Sequence, residues 1–120
     1  MRTVADAMRA PPVVVDAATT IQAASARMLD AGMHAAVVVD GGRVRGVVTA
    51  DSVARALADG LEATETQVNA ITEADAPVAR PDEPLAEAHV WMRARGRALV
   101  AVVAASGEAV GLLEDHEASV

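Results

Sequence analysis

The sequence of 120 residues contains no cysteine, no phenylalanine and no tyrosine, and it has a single tryptophan. The absence of cysteine excludes disulfides, thiolate nucleophiles and cysteine-ligated metals, which fits a reducing compartment and leads us to expect a cytoplasmic protein. Because aromatic rings are nearly absent, Ala, Val, Leu, Ile and Met have to fill the interior. We therefore expect small helices packed closely on small strands.

Positive charge is also scarce, since 10 basic residues stand against 17 acidic ones and the formal net charge is −7. No basic run is present to attract phosphate backbones or anionic lipids, so we expect no nucleic-acid partner. The longest apolar stretch, residues 98–105, is too short to span a bilayer, and we expect no membrane insertion. The first residues include an early acid and no apolar run, which is not the pattern of a signal peptide.

The residues that catalysis requires are missing as well. The chain lacks a glycine-rich phosphate loop and a histidine beside a motif serine, and its three histidines, at positions 34, 89 and 116, show no metal-ligand spacing. We therefore expect no catalytic residues, no metal site and no required cofactor, and we interpret the chain as a non-enzyme.

What the chain does contain is a duplication. Thr20-Ile21-Gln22-Ala23-Ala24, Gly32 and the valines at 37–39 recur 64 residues later as Pro84-Leu85-Ala86-Glu87-Ala88, Gly96 and residues 101–103. One extra residue near the second hairpin turn shifts the offset to 65 and aligns Gly46 with Gly111. Self-similarity at a fixed period indicates repeated structural units. Two units of about 60 residues are small enough that we expect them to share a core.

Each copy is predicted to run short helix, strand, helix, strand, turn, strand, helix, which gives an α/β protein with a mixed sheet. Thr20 is placed to cap a helix with Ile21, Ala24, Ser25 and Met28 on its inner face, and Gly32 to end it. The segment Asp40-Gly41-Gly42-Arg43 predicts a hairpin. A helix over 51–58 is predicted to have Val53, Ala54 and Leu57 on one side. A helix over 84–95 is predicted to be capped by Asp82 and to have an inner face of Leu85, Ala88, His89 and Met92.

The segments Val4-Ala5-Asp6-Ala7-Met8, Thr20 to Ala24, Gly32 to Asp40 and Gly46-Val47-Val48-Thr49 resemble a CBS (cystathionine β-synthase type) domain. The second copy resembles a more diverged one, so the chain resembles a tandem CBS pair, or Bateman module. The resemblance implies two pseudo-symmetric β-α-β-β-α units that pack through their sheets as one compact body. We assign residues 1–60 to the first unit, 61–67 to a linker and 68–120 to the second unit, whose final helix is about a turn short.

The resemblance also implies a regulatory module that senses AMP, ADP, ATP or S-adenosylmethionine in clefts between the units and controls a protein that the sequence does not identify. The family's ligand motif is a glycine, two apolar residues, Thr or Ser, two variable residues and Asp. The first copy has Thr49 in this motif, with Ser52 at the Asp position and Asp51 one residue early; the second copy has Glu114 and Glu117 at the two polar positions. Glu114 places negative charge where a ligand phosphate would bind, which favours a neutral or cationic adenosyl ligand in the second cleft.

These assignments give two sets of candidate ligand-binding residues. The first cleft is assigned Val14, Ala35, Ala36, Thr49, Asp51 and Ser52, and the second cleft Val78, Leu99, Val100, Glu114 and Glu117. Thr49 and Ser52 are equally well suited to capping the last helix of the first copy.

Trp91 lies off the inner stripe of its helix and is interpreted as an exposed anchor of a homodimer interface, with Arg93, Arg95 and Arg97 as its polar rim or as a solvated face. Two alternatives to a ligand sensor stay open at this point. One is a ligand-free dimerisation or protein-interaction module, and the other is a divalent-cation sensor that uses Asp51, Glu114, Asp115 and Glu117.

Overall fold

The computed structural model describes residues 1–73 and 76–115, and within them the duplication is visible as a repeated order of elements. The first copy contains α1 (Val4–Ala7), β1 (Val14–Asp16), α2 (Ile21–Asp30), β2 (Ala35–Asp40), β3 (Arg43–Thr49) and α3 (Ala50–Ala58). The second copy contains a 3-10 helix (Val68–Ile71), β4 (Val78–Ala79), α4 (Leu85–Ala94), β5 (Leu99–Val103) and β6 (Ala109–Glu114).

Helix α2 begins and ends as its sequence predicts. The Thr20 hydroxyl oxygen accepts a hydrogen bond from the Ala23 backbone N–H at 3.1 Å, which satisfies one of the unpaired donors at the helix start. Ile21, Ala24 and Met28 are buried. After the helix, Gly32 adopts a φ of 67°, a left-handed conformation that glycine takes without steric cost.

The other two long helices differ from prediction in detail. In α3 the buried residues are Val53 and Ala56, whereas Ala54 is exposed and Leu57 is 46% exposed. The inner stripe therefore follows i, i+3 spacing from Val53, and the prediction for Ala54 and Leu57 is wrong. In α4 the expected cap by Asp82 is wrong: Pro84 occupies the N-cap position and no side chain caps the helix. The inner face of α4 is as predicted, with Leu85, Ala88 and Met92 buried and His89 half-buried.

Two three-stranded sheets, β1-β2-β3 and β4-β5-β6, repeat the same topology. In each sheet the first two strands are parallel and the last two are an antiparallel hairpin. The first hairpin turns at Gly41 and Gly42, whose φ angles of 59° and 79° give the two consecutive left-handed residues that a tight two-residue turn requires. Even the register shift between Val38 and Val39 recurs at the equivalent point of the second sheet.

Side-chain alternation along the strands divides the interior into three clusters. On one face of each sheet the side chains pack against the helices of the same half, as those of Ala36, Val38 and Val48 do in the first half. The side chains on the other face of each sheet form a third cluster between the two sheets, whose buried members are Ala35, Val37, Ala101, Val103 and Leu112. The sheets therefore pack face to face as predicted, and the two halves share this cluster.

The first segment of each copy, around Val4 and around Val68, packs in the core of the other half. Val4 is fully buried in the helical core of the second half, and its equivalent Val68 is fully buried in that of the first half. The same backbone hydrogen bond fixes both: Val4 N–H donates to the Glu83 carbonyl at 2.9 Å, and Val68 N–H donates to the Thr19 carbonyl at 2.7 Å. Each core is thus completed by a segment from the other copy.

Two equivalent glycines give these segments room to cross. A Cβ on Gly46 would lie 2.9 Å from the Glu73 carbonyl oxygen, and a Cβ on Gly111 would lie 3.0 Å from the Arg9 carbonyl oxygen and 2.6 Å from the Met8 sulfur. Neither glycine has a positive φ, so both are required by close approach and not by backbone conformation.

The linker assigned to residues 61–67 stays a prediction. The final helix of the second copy was expected from Glu114, but Glu114 ends β6, and residues 116–120 lie outside the described part of the chain. Within that part no helix is long and apolar enough to cross a membrane.

We expect Val4→Ala and Val68→Ala each to lower the free energy of unfolding by about 1.5–3 kcal/mol, because each removes two fully buried methyl groups and leaves a cavity. Val90→Ala is the matched control, since that side chain is 67% exposed and its loss should change stability by less than about 0.5 kcal/mol. Urea denaturation provides the measurement. A Val4→Ala loss as small as that of the control would contradict the exchange of segments.

Gly111→Ala is expected to cost about 1–3 kcal/mol of stability, because the new methyl group would overlap the Met8 side chain. Met8→Ala removes the closest atom, so the double variant should be less destabilised than the sum of the two single variants. Strictly additive losses of stability in a double-mutant cycle would show that a methyl group at position 111 does not contact the Met8 side chain.

Candidate ligand cleft between the two halves

A cleft of about 500 Å³ opens where the end of β3 meets the second half of the chain. It is lined by residues of three segments, 47–55, 71–73 with 76–77, and 96–100. We call this the Thr49 cleft. Its volume lies within the range of small-molecule sites in proteins.

One wall of the Thr49 cleft is the start of α3, where Thr49 and Ser52 form a reciprocal capping box. The Thr49 hydroxyl oxygen accepts from the Ser52 N–H at 3.0 Å, and the Ser52 hydroxyl oxygen accepts from the Thr49 N–H at 2.9 Å. The predicted capping role is therefore confirmed. Because Thr49 Oγ1 accepts a bond from the backbone, its own hydrogen is left to donate, either to Ser52 Oγ at 3.2 Å or into the cleft.

The cleft lining includes two arginines that the sequence did not place there. Arg55 lies on α3 beyond the turn, and Arg97 arrives from the second half, just before β5. Arg97 NH2 lies 2.5 Å from Glu73 Oε1 across the cleft lining. Arg55 follows Thr49 by six residues in the sequence. Arg97 reaches the cleft only through tertiary packing, so no local sequence pattern predicts its position there.

The structure groups the predicted site residues differently from the sequence. Thr49, Asp51 and Ser52 line the same cleft as Leu99 and Val100, which had been assigned to the second cleft. This exchange follows from the face-to-face packing of the sheets, which places β5 against β3.

The other strand residues lie elsewhere. Ala35 is buried in the cluster between the sheets, together with the half-buried Val14 and Val78. Ala36 is fully buried in the helical core of the first half, so its side chain faces away from both sheets' shared interface and from the cleft. Glu117 lies outside the described residues.

A second, smaller depression of about 360 Å³ adjoins the Thr49 cleft and shares Thr49, Asp51 and Leu99 with it. Glu114 and Asp115 also line this depression. Asp115 is only 3% exposed, and both of its oxygens face Arg93, with Nε at 2.9 Å from Oδ2 and NH2 at 3.4 Å from Oδ1. Glu114 Oε1 lies 3.0 Å from His34 Nε2. Glu114 and Asp115 are therefore engaged with basic side chains of the same chain.

Across residues 1–73 and 76–115, no three His, Cys, Asp or Glu side chains are arranged so that they could hold a metal ion. The cluster proposed from the sequence as a cation site thus finds no geometric support in its described members, Asp51, Glu114 and Asp115. Glu117, its fourth member, lies beyond Asp115.

Trp91 is not the exposed residue that its sequence position suggested. Its ring is half-buried against the core of the second half, its indole N–H donates to Glu83 Oε2 at 2.6 Å, and the Arg95 guanidinium lies 5.7 Å from the ring centroid. The reason is that Glu83, just before α4, offers the buried indole N–H an acceptor. A homodimer stays a prediction, and Trp91 is not required to have an external partner.

The arginines near Trp91 also separate. Arg93 binds Asp115, Arg95 lies over Trp91 and Arg97 pairs with Glu73. They therefore form three distinct contacts within the chain and not one polar rim.

Comparison with known proteins agrees with this architecture. Residues 4–59 match the family model of the CBS domain. A search of curated proteins by sequence found no match.

Among solved structures, the chain is similar to the CBS domain protein PAE2072 from Pyrobaculum aerophilum, complexed with AMP, with a TM-score of 0.81 and 24% identity over 94% of this chain and 87% of that chain. It is also similar to the CBS domain pair of protein MJ0100, in complex with 5′-methylthioadenosine and S-adenosyl-L-methionine, with a TM-score of 0.80 and 23% identity over 94% of this chain and 89% of that chain. CBSX2 in complex with AMP gives a TM-score of 0.73 and 22% identity over 97% of this chain and 92% of that chain.

At these identities the structures establish the fold. The match over residues 4–59, the repeated topology and the face-to-face sheets lead to one conclusion: residues 4–59 match the CBS domain family, and the chain as a whole has the fold of a tandem CBS domain pair, or Bateman module.

Proposed function

We propose that this chain is a regulatory module that binds an adenosine-containing ligand in the Thr49 cleft. The observation that carries the proposal is that the lining of one cleft of suitable volume combines a helix start, the Thr49 hydroxyl, acidic and basic residues and apolar residues. The similar structures complexed with AMP, or with 5′-methylthioadenosine and S-adenosyl-L-methionine, support the choice of ligand class.

Each part of an adenosyl ligand has a suitable counterpart among the lining residues. Val47, Ile71 and Leu99 offer apolar contact to a purine ring. Asp51 offers a carboxylate that accepts hydrogen bonds from ribose hydroxyls. The Thr49 hydroxyl and the N-terminus of α3 suit an anionic group, since the helix dipole and its unpaired N–H groups favour negative charge.

The cleft lining has as many basic as acidic residues, and this balance affects which charged group of a ligand could bind there. Arg55 and Arg97 stand against Asp51 and Glu73, and the Arg97–Glu73 contact at 2.5 Å joins one pair directly. A ligand phosphate would compete with Glu73 for Arg97, whereas a sulfonium or amino group would not need that cation. Arg97 is therefore the residue that separates phosphate-bearing from phosphate-free ligands.

We propose a regulatory role and not a catalytic one because the chain has neither cysteine nor tyrosine. In addition, the Thr49 and Ser52 hydroxyl oxygens accept capping hydrogen bonds, and within residues 1–73 and 76–115 no general base is paired with either hydroxyl. Binding would act on a regulated protein by changing how the two halves pack, since the cleft is formed by both.

The proposal is tested by measuring thermal unfolding with AMP, ATP, 5′-methylthioadenosine and S-adenosylmethionine. A ligand present at 100 times its dissociation constant should stabilise the folded chain by about 2.7 kcal/mol. If none of the four raises the unfolding temperature, the proposed function is wrong and a ligand-free interaction module is favoured.

Thr49→Ala should weaken the bound ligand about tenfold, because one hydrogen bond to the ligand is lost. The matched control is Thr20→Ala, which removes an equivalent N-cap from α2 outside the Thr49 cleft. Both variants should lose about 0.5–2 kcal/mol of stability, but only Thr49→Ala should lose affinity by isothermal titration. Equal affinity in the two variants would remove Thr49 from the site.

Arg97→Gln should weaken AMP about tenfold or more and leave 5′-methylthioadenosine, which lacks a phosphate, nearly unchanged. Arg43→Gln, at the exposed first hairpin, removes the same charge far from the cleft and serves as the control. A uniform loss for both ligands would indicate that Arg97 supports the cleft wall and does not contact phosphate.

A further inference from the structure

Residues 2–9, which we call the N-terminal strap, are bound to the second half of the chain at both ends. Near the start of the strap, the Val4 N–H donates to the Glu83 carbonyl, just before α4, at 2.9 Å. At its end, the Arg9 N–H donates to the Leu112 carbonyl at 2.8 Å, and the Arg9 carbonyl accepts from the Leu112 N–H at 3.0 Å. The strap therefore reaches from the start of α4 to the edge of β6.

Met8 lies in the strap between these contacts, with its sulfur against the backbone of Gly111. A Cβ on Gly111 would lie 2.6 Å from that sulfur and 3.0 Å from Met8 Cγ, which is closer than side chains pack. Met8 is half-buried and packs on the apolar core of the second half. The thioether thus fills the space between the strap and β6, while part of the side chain is open to solvent.

Met8 differs from the other four methionines because it combines partial exposure with this contact. Met28 and Met92 are only 4% and 0% exposed, so a dissolved oxidant does not reach them readily. Met1 is fully exposed, so its oxidation would disturb no packing. Met33 is half-buried and packs in the first half and between the sheets. Of the two half-buried methionines, Met8 is therefore the one that holds the strap on the second half.

The equivalent place in the first half is occupied by a threonine. Thr72 faces Gly46, with its methyl carbon 3.3 Å from the position of a Cβ on that glycine. Its hydroxyl donates to the Val68 carbonyl at 2.8 Å. Peroxides oxidise a thioether but leave an alcohol unchanged. The two crossings are thus built alike, and the one beneath the N-terminal strap is the one that an oxidant can change.

We infer that Met8 is a redox-sensitive contact whose oxidation to the sulfoxide by a peroxide releases the N-terminal strap from the second half. A lone pair of the sulfur attacks one oxygen of hydrogen peroxide, a sulfur–oxygen bond forms and the oxygen–oxygen bond breaks. The departing hydroxide takes up the proton and leaves as water, so sulfur is oxidised and the peroxide is reduced. Methionine sulfoxide reductases reverse this step, which makes the contact reversible.

The sulfoxide does not fit where the thioether packs. It adds an oxygen at a contact that is already too tight for one more methyl carbon. The neighbouring N–H groups, those of Arg9 and Leu112, already donate to each other's carbonyls, so the new oxygen can gain a donor there only by breaking that pair. A crowded polar group without a hydrogen-bond donor is destabilising, and it is relieved when the strap leaves β6.

The test is amide hydrogen exchange of the folded chain, followed by NMR before and after treatment with hydrogen peroxide, with the oxidised residues identified by mass spectrometry. Once Met8 is oxidised, the Leu112 amide should exchange at least about tenfold faster, because local opening of the strap exposes it. The Val68 amide, which donates to the Thr19 carbonyl in the first half, should keep its rate. Unchanged Leu112 exchange in a chain that carries Met8 sulfoxide would overturn the inference. So would a Met8 that resists peroxide while Met1 is fully oxidised.

Three variants assign the effect to Met8. Met8→Leu keeps the apolar volume without an oxidisable sulfur, so its Leu112 amide should stay protected after peroxide. Met33→Leu is the matched control, since it removes the other half-buried methionine and should respond to peroxide as wild type does. Met8→Gln places a polar group of similar length under the strap and should show fast Leu112 exchange without any peroxide. If peroxide-treated Met8→Leu loses as much protection as wild type, another residue is responsible and the inference is wrong.

Repair of the wild-type chain tests the same point without a variant. Methionine sulfoxide reductase with a thiol reductant should return the Leu112 amide to its original exchange rate. Protection that stays lost after Met8 is reduced again would show irreversible damage and not a reversible contact. All of these measurements use the chain without added ligand, so their outcome does not depend on the function proposed for the Thr49 cleft.

Discussion

The packing of the two sheets against each other is the constraint on which the rest of this structure depends. Their shared cluster is built from small side chains such as Ala35, Val37 and Ala101, so the strands approach closely. That approach sets β5 against the end of β3 and thereby assembles the Thr49 cleft from both halves. Larger side chains at these positions would separate the halves and, with them, the walls of the cleft.

The local structure was predictable from sequence because it depends on local chemistry. The Thr20 cap, the left-handed Gly32 and the tight turn at Gly41 and Gly42 all follow from residue type and spacing, whereas the face-to-face sheets were expected from the family resemblance. The predictions that failed depended on neighbours from elsewhere in the chain. Trp91 is covered because Glu83 accepts its N–H, which no periodicity within α4 reveals.

The composition of the site shows the same division. The polar residues of the motif, Thr49, Asp51 and Ser52, were found in the sequence because they lie together at one helix start. The sequence did not indicate that Arg97, Leu99 and Val100 line the same cleft as the motif, because this arrangement is decided by packing between segments about 50 residues apart. A repeat pattern identifies equivalent positions in the two copies, but it does not predict which positions of one copy contact which positions of the other.

The duplication within one chain has a consequence for symmetry. In a two-fold homodimer of single units, every residue appears in both halves, so its two clefts are necessarily identical. Here both halves are encoded separately, and one position holds a hydroxyl at Thr49 and a carboxylate at Glu114 while the backbone around them stays equivalent. Covalent linkage thus lets a symmetric scaffold hold chemically different side chains at equivalent positions, and a single codon is enough to make them differ.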